Sequence, residues 1–318
     1  MANFSDRQPT MSRADHCRSK NEVRMRIRFS PLCLLTLTLW TLSLPSPSCW
    51  AATSVDSGNQ NAWGANIGWV NWRGDTNNGA VIGEYVCSGN IYAGNVGWIN
   101  LGNGAPLNGI QYQNASANDF GVNQDGVGNL RGYAYAANVG WISFENQGAP
   151  RVDLQSGQLT GWIYSANCGW IGLSNAWAVV QTDTIAAGVD ADGNGLPDAW
   201  ELVNFDHTGV DPNGDPDGDG MSNRQEYLAG SNPNERGDKL AIISLSASMA
   251  GKSVTVSWQS EATRRYYIET KLGLTSATWE DSGLGLITPD GTTTTCTWSP
   301  TGAAMRFYRV RAVRPLAP

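Results

Sequence analysis

Histidine is nearly absent. The chain of 318 residues holds two, and beyond the first fifty positions only His207 remains. A Ser–His or Cys–His nucleophile pair therefore has almost no base to draw on, and no histidine-rich zinc site can be assembled. Gly-rich phosphate loops and dinucleotide fingerprints are missing too. The expectation is a protein that is not an enzyme. Basic residues are also scarce, with 21 Lys and Arg against 28 Asp and Glu, which argues against nucleic acid as a partner. Long apolar runs are lacking as well. The most apolar stretch, residues 31–44, falls short of the roughly 20 residues that a helical bilayer crossing takes.

That stretch has a different use. Arg24, Arg26 and Arg28 precede it, and Cys49-Trp50-Ala51 follows it with small residues at the two positions read by a signal peptidase. Residues 1–51 thus read as an export signal cut after Ala51, with Met25 as an alternative start. Ser46-Pro47-Ser48 lacks the apolar residue expected before a lipidated Cys49. The expected location is secreted or cell-surface, with no membrane span once the leader is gone. An oxidising compartment lets disulfides persist. Of the remaining Cys87, Cys168 and Cys296, the first two are the expected pair and Cys296 a buried thiol.

Charge is distributed unevenly along residues 52–318. Residues 183–238 carry 13 acids against 2 arginines. The flanking segments, at −4 for 52–182 and +4 for 239–318, cancel. So local an excess points to a cation site rather than to overall acidity.

Residues 52–182 contain a repeat. Ala65-Asn66-Ile67-Gly68-Trp69, Gly94-Asn95-Val96-Gly97-Trp98, Ala137-Asn138-Val139-Gly140-Trp141 and Ala166-Asn167-Cys168-Gly169-Trp170 share one pattern, and their asparagines are 29, 43 and 29 residues apart. Aromatic and β-branched runs flank each Asn- and Gly-containing turn, as in residues 132–135 and 141–144, so each copy reads as a β-hairpin. Asn tolerates the left-handed conformation and Gly supplies positive φ. Single hairpins are marginal in water, so the four must pack together. The favoured expectation is that the tryptophans form the shared core. The alternative is an exposed platform for sugar rings.

The sharpest signal lies between Asp190 and Glu226. Asp190, Asp192, Asn194, Gly195, Leu196, Asp198 and Glu201 occupy positions 1, 3, 5, 6, 7, 9 and 12 of a twelve-residue calcium loop. Asp215, Asp217, Asp219, Gly220, Met221, Asn223 and Glu226 repeat the series. Ca²⁺ takes about 6–8 oxygens, which alternate residues of a tightly turning chain can supply. Gly195 and Gly220 allow the sharp bend. Leu196 and Met221 would give backbone carbonyls, leaving their side chains free, and Glu201 and Glu226 would clamp the ion with both oxygens. Helices are expected over 199–205, after Pro197, and over 222–229, ended by Gly230. None is expected before the loops, since residues 211–216 hold two prolines.

From Leu240 onward, short strand-like runs recur at 253–258, 266–270, 293–298 and 306–311. They suggest an immunoglobulin-like β-sandwich.

The fold class expected is therefore mainly β. It comprises an all-β hairpin-repeat domain (52–182), a small calcium-binding loop–helix spacer (183–238) and a β-sandwich (239–318). The Asn-x-Gly-Trp units resemble tandem repeats of exported bacterial proteins. The loop–helix units, with the Gly230-Ser-Asn-Pro233 exit, resemble thrombospondin type 3 repeats and, less closely, dockerins. Val256-Ser-Trp258 and Phe307-Tyr-Arg-Val-Arg311 resemble fibronectin type III domains. These resemblances imply a calcium-binding structural or adhesive protein whose partners are calcium ions and a surface glycan or protein. A carbohydrate-binding module and a dockerin-like assembly module are the alternatives. Two Arg-Gly-Asp tripeptides, at 73–75 and 236–238, read as chance in so Gly- and Asp-rich a chain.

Overall fold

The repeat supplies four antiparallel hairpins, described in a computed structural model that covers residues 53–317 except 75–76, 249–252, 274, 276 and 301–305. The expected export signal lies outside the described residues. In chain order, β1 (Val55–Gly64) and β2 (Gly68–Asn71) make the first hairpin, and the short β3 (Val81–Ile82) and β4 (Cys87–Ser88) pair in the connection that follows. β5 (Asn90–Ala93) and β6 (Gly97–Asn100) make the second. β7 (Val122–Gln124) flanks the third, formed by β8 (Leu130–Ala136) and β9 (Gly140–Ser143). β10 (Arg151–Val152) and β11 (Gln158–Thr160) precede the fourth, made by β12 (Trp162–Ser165) and β13 (Gly169–Gly172), and β14 (Val180–Thr182) ends the region. Each hairpin pairs with the next and β13 pairs back with β1, closing eight strands into an antiparallel barrel. Closure removes the open edges that a flat sheet of hairpins would leave.

The turns explain the repeated Asn and Gly differently from the sequence reading. Positive φ falls on the glycines, 78° at Gly68 and 88° at Gly97, and on none of the four asparagines. The asparagines instead stitch the turns together. The Nδ2 of Asn95 donates to the Ile67 carbonyl at 3.2 Å, Asn138 to Val96 at 2.8 Å and Asn167 to Val139 at 3.0 Å. Asn66 donates to the Cys168 carbonyl at 3.1 Å, completing the circle. The variable residue of each motif (Ile67, Val96, Val139 or Cys168) joins the core beneath this ring.

Inside the barrel the layers are small and aliphatic. Ala62, Ile91, Ala134 and Ile163 alternate with Val70, Ile99, Ile142 and Ile171, all buried. Trp72, Leu101, Phe144 and Leu173, one residue past each returning strand, fill the far end. An eight-stranded barrel has room only for side chains of this volume. The repeated tryptophans are therefore not its core. Trp69, Trp98, Trp141 and Trp170 point outward, and Trp69 is 51% exposed. The core expectation for the tryptophan row is corrected: the next residue along each strand, Val70, Ile99, Ile142 or Ile171, holds the interior place.

No disulfide forms among the described cysteines. Cys87, Cys168 and Cys296 are free, so the expected Cys87–Cys168 pair is corrected, and Cys296 is half-buried rather than enclosed. Cys168 serves as one of the four turn-end plugs, and burial pushes the Cys87 thiol up to about 12.

After the barrel come α1 (Asp198–Phe205) and α2 (Asn223–Ala229). Ser222 starts α2 with a reciprocal capping box to Gln225, and Gly230 ends it at φ 82°. β15 (Ile242–Ser248), β16 (Ser253–Gln259) and β19 (Thr293–Trp298) form one three-stranded sheet; β17 (Arg265–Lys271), β18 (Glu280–Asp281) and β20 (Phe307–Val313) form another. Val254, Val256, Trp258, Tyr266 and Ile268 are buried in one cluster, as the alternation in β16 requires. On the other face of the second sheet, Glu269 accepts from Arg309 and Arg311 at 2.6 and 2.7 Å.

The segment 183–238 is not strung between separate bodies. All described residues belong to one compact unit. Glu84, in the β3–β4 connection, is nearly buried and accepts from Arg264 Nη1 and Arg314 Nε, both at 2.9 Å, and from the Tyr227 hydroxyl at 3.2 Å. One carboxylate thus ties the barrel, α2 and the C-terminal strands together. Arg264 also donates to the Tyr227 and Leu228 carbonyls at the end of α2. The shared burial raises the Tyr227 phenol above its ordinary range, with Glu84 adding to the effect.

Candidate functional sites

Two regions hold chemistry that the fold itself does not use. The first is the pair of acidic loops. In loop one, Asp190 accepts from the backbone N–H groups of Asn194 and Gly195 at 3.1 and 2.9 Å, and Asp192 accepts from Asn194 at 3.1 Å. The Nδ2 of Asn194 faces three oxygens: Glu201 Oε1 at 2.8 Å, the Val210 carbonyl at 3.0 Å and Asp192 Oδ2 at 3.2 Å. An amide nitrogen has two hydrogens, so three acceptors oversubscribe it. Glu201 is fully buried, and its Oε2 has no partner.

Loop two repeats the arrangement with less compensation. Asp215 accepts from the N–H groups of Gly218, Asp219 and Gly220 at 2.9, 3.1 and 3.0 Å. Burial works against its charge, yet these donors hold its carboxyl below the usual range. Asp215, Asp217 and Asp219 each bring a carboxylate oxygen within 4.8 Å of the others. Asp217 Oδ2, Asp219 Oδ2, Asn223 Oδ1 and Glu226 Oε2 are all buried with no hydrogen-bond partner. Lys239 Nζ lies 3.9 Å from Asp219 Oδ2. Glu226 is fully buried, and burial followed by Asp217 and Asp219 pushes its carboxyl up to about 7.

The sequence-predicted ligands of the two loops lie close together, with one correction. Asp198 stays on loop one, its Oδ1 accepting from the Ala191 N–H at 2.9 Å. The correction concerns Leu196, whose side chain is not free. It is fully buried with Trp200, Val210 and Tyr227 in the small core between the loops, which restricts its identity. Met221 is half-buried. Arg224 was missed: from α2 its guanidinium donates to the Asn194 carbonyl, linking the two loops. Its place in the first turn of α2 gave no sign of a contact 30 residues back in the chain.

The second region is the outside of the barrel. Across each turn an aromatic pair meets edge to face or tilted: Trp63 with Trp69, Tyr92 with Trp98, Tyr135 with Trp141 and Tyr164 with Trp170, ring centres 4.9–5.0 Å apart. All eight rings are exposed, as is Trp162 beside them. Phe120, on the long connection between β6 and β7, packs on Trp141 at 5.1 Å. Soluble proteins rarely leave so many large aromatics together in water, and such belts mark contact surfaces.

No helix among the described residues is long and apolar enough to cross a membrane. A scan against protein-family models and searches of curated proteins and of solved structures find no match for this chain.

Proposed function

We propose that this is an exported, non-enzymatic structural or adhesive protein that carries two Ca²⁺ ions. In this reading the ions lock residues 183–238 between an Asn-x-Gly-Trp hairpin-repeat barrel and an immunoglobulin-like sandwich. The observation that carries it is the set of five buried oxygens without donors: Glu201 Oε2, Asp217 Oδ2, Asp219 Oδ2, Asn223 Oδ1 and Glu226 Oε2. Buried carboxylate oxygens with no hydrogen bond are costly, and a hard divalent cation relieves that cost. Asp190, Asp192, Asn194, the Leu196 carbonyl and Glu201 would hold one ion. Asp215, Asp217, Asp219, the Met221 carbonyl and Glu226 would hold the other, with Asn223 facing it directly or through water.

When bound, the ion supplies charge neutralisation and rigidity, not chemistry on a substrate. Glu201 and Glu226 lead the chain from each loop into α1 and α2, and α2 carries Tyr227, which bonds Glu84. Calcium in loop two therefore stiffens the joint between all three parts. Limited proteolysis in calcium and in chelator tests this. Chelation is expected to open residues 190–226 to cleavage while the barrel resists, and an identical cleavage pattern in both conditions would refute it.

A second reading, favoured by the exposed aromatic pairs, is that the barrel exterior binds glycans. The two readings are compatible, since the loops would stiffen the chain while the barrel provides the binding face.

A further inference from the structure

The aromatic belt is not uniform. At one place it meets a cleft of about 330 Å³, lined by Trp69, Trp177 and a row of carboxamides, Asn59, Gln60 and Asn61, on β1. The rest of the lining is glycine, alanine and valine. Beside the cleft, β1 slips register against β14 between Val55 and Gln60. Bulges of this kind commonly redirect side chains beside binding sites. Asp56 ties the irregular stretch down by accepting from the Gly58 and Asn59 N–H groups at 3.0 and 2.7 Å.

Trp177 is the most exposed aromatic among the described residues, at 87%. It lies outside the repeat, so repeat geometry does not account for it. It is held out on a fixed turn: Asn175 Oδ1 accepts from the Trp177 and Ala178 N–H groups at 2.8 and 2.9 Å, the Asn175 N–H donates to the Ala178 carbonyl at 2.7 Å, and Ser174 bridges Val179. An indole presented to water on a rigid tip is arranged to receive something.

The lining selects the ligand class. It carries no ionisable group, so a charged ligand would find no counter-charge. A purely apolar ligand would strip water from the amides and return no hydrogen bond. A proline-rich segment could lie on the indoles, but tertiary amides donate nothing to carboxamide oxygens. A sugar ring answers every part. Its hydroxyls both donate and accept, matching Asn and Gln, and its C–H face carries slight positive charge that suits the negative face of an indole. The volume, at the low end of the about 300–1,000 Å³ typical of ligand sites, fits one or two rings.

We propose that this cleft binds a neutral oligosaccharide, with Trp177 and Trp69 stacking on sugar rings and the amides of Asn59, Gln60 and Asn61 bonding their hydroxyls. The site rests on the glycan reading of the barrel exterior and makes it specific. The Trp63–Trp69 pair anchors one wall and the Asn175 turn the other, so the cleft is preformed and little ordering cost opposes binding.

The test uses the whole chain in calcium, titrated calorimetrically with hexamers of β-1,4-linked glucose, β-1,4-linked N-acetylglucosamine and α-1,4-linked glucose, and with a decaproline peptide. Saturable binding of at least one sugar is expected, weakened tenfold or more by Trp177→Ala and by Trp69→Ala and unchanged by Leu272→Ala, an exposed residue beyond β17 that is outside the aromatic belt. Trp177 is 87% exposed, so its substitution leaves folding intact and its loss of binding is a direct reading. Binding that survives Trp177→Ala but falls with Trp98→Ala would overturn the cleft and keep the glycan reading. Binding of decaproline alone, or of none of the probes, would overturn both.

Discussion

Trp141 and Ile142 are neighbours on β9 that face opposite sides of the barrel wall, so truncating each in turn measures which side is core. Ile142 has no exposed surface. Ile142→Ala leaves a cavity inside a closed barrel that cannot collapse easily, and should cost about 2–5 kcal/mol. Trp141 is 45% exposed. Trp141→Ala gives up edge-to-face contacts with Tyr135 at 5.0 Å and Phe120 at 5.1 Å, each about 0.5–1.5 kcal/mol, and leaves an open hollow that water fills. A total of about 1–3 kcal/mol is expected, below the cost of Ile142→Ala despite the larger volume removed. Urea unfolding of both variants in saturating calcium gives the comparison, provided the m-values stay equal. A Trp141→Ala cost equal to or above that of Ile142→Ala would refute the inside-out assignment.

Three further outcomes follow from the same structure. Glu84→Ala leaves Arg264 buried without its carboxylate and should cost about 3–5 kcal/mol, read as a lowered melting temperature together with faster proteolysis of residues 190–226. Asn138→Ala removes one link of the turn ring and should cost about 0.5–1.5 kcal/mol, measured by chemical denaturation. In the ion-free protein, Glu226 sits at about 7, so the folded state binds the extra proton between the unfolded value near 4.3 and about 7. Stability without calcium should therefore fall as pH rises through that window, while calcium affinity rises through it and binding releases protons. Titrations at pH 6 and pH 8 in buffers of different ionisation enthalpy check both directions.

Much of the architecture was legible in the sequence because it is stated four times. The Asn-x-Gly-Trp copies located the turns, and the Gly at the fourth place in each was correctly tied to positive φ. The facing of the strands was not legible, because Trp69-Val70 or Trp141-Ile142 offers two apolar neighbours and period-two alternation cannot choose between them. A usable clue lay on the opposite strand, where Ala62, Ala93, Ala136 and Ser165 are small. A narrow barrel needs small residues inside, so the aromatic residues beside them, Trp63, Tyr92, Tyr135 and Tyr164, had to face out. The clustering of Asp215, Asp217 and Asp219 was legible because their alternate spacing in a tight turn is local. The demands on Leu196 and Asp198 were not, since a buried core with Tyr227 and a bond to Ala191 depend on how the loop is seated. Least legible of all was Glu84, whose arginine partners lie 180 and 230 residues away. A lone acid in a Gly-rich connection gives no sign of such a junction.

The account turns on whether the two loops hold calcium. Titration calorimetry of the full chain, with ions first removed, is expected to give two Ca²⁺ per chain at the weak affinities of extracellular modules, about 10⁻⁴–10⁻³ M. Glu201→Gln and Glu226→Gln should each reduce the count to one, and the double variant should bind none. A wild-type chain that takes up no calcium, or a double variant that still binds two ions, would contradict it.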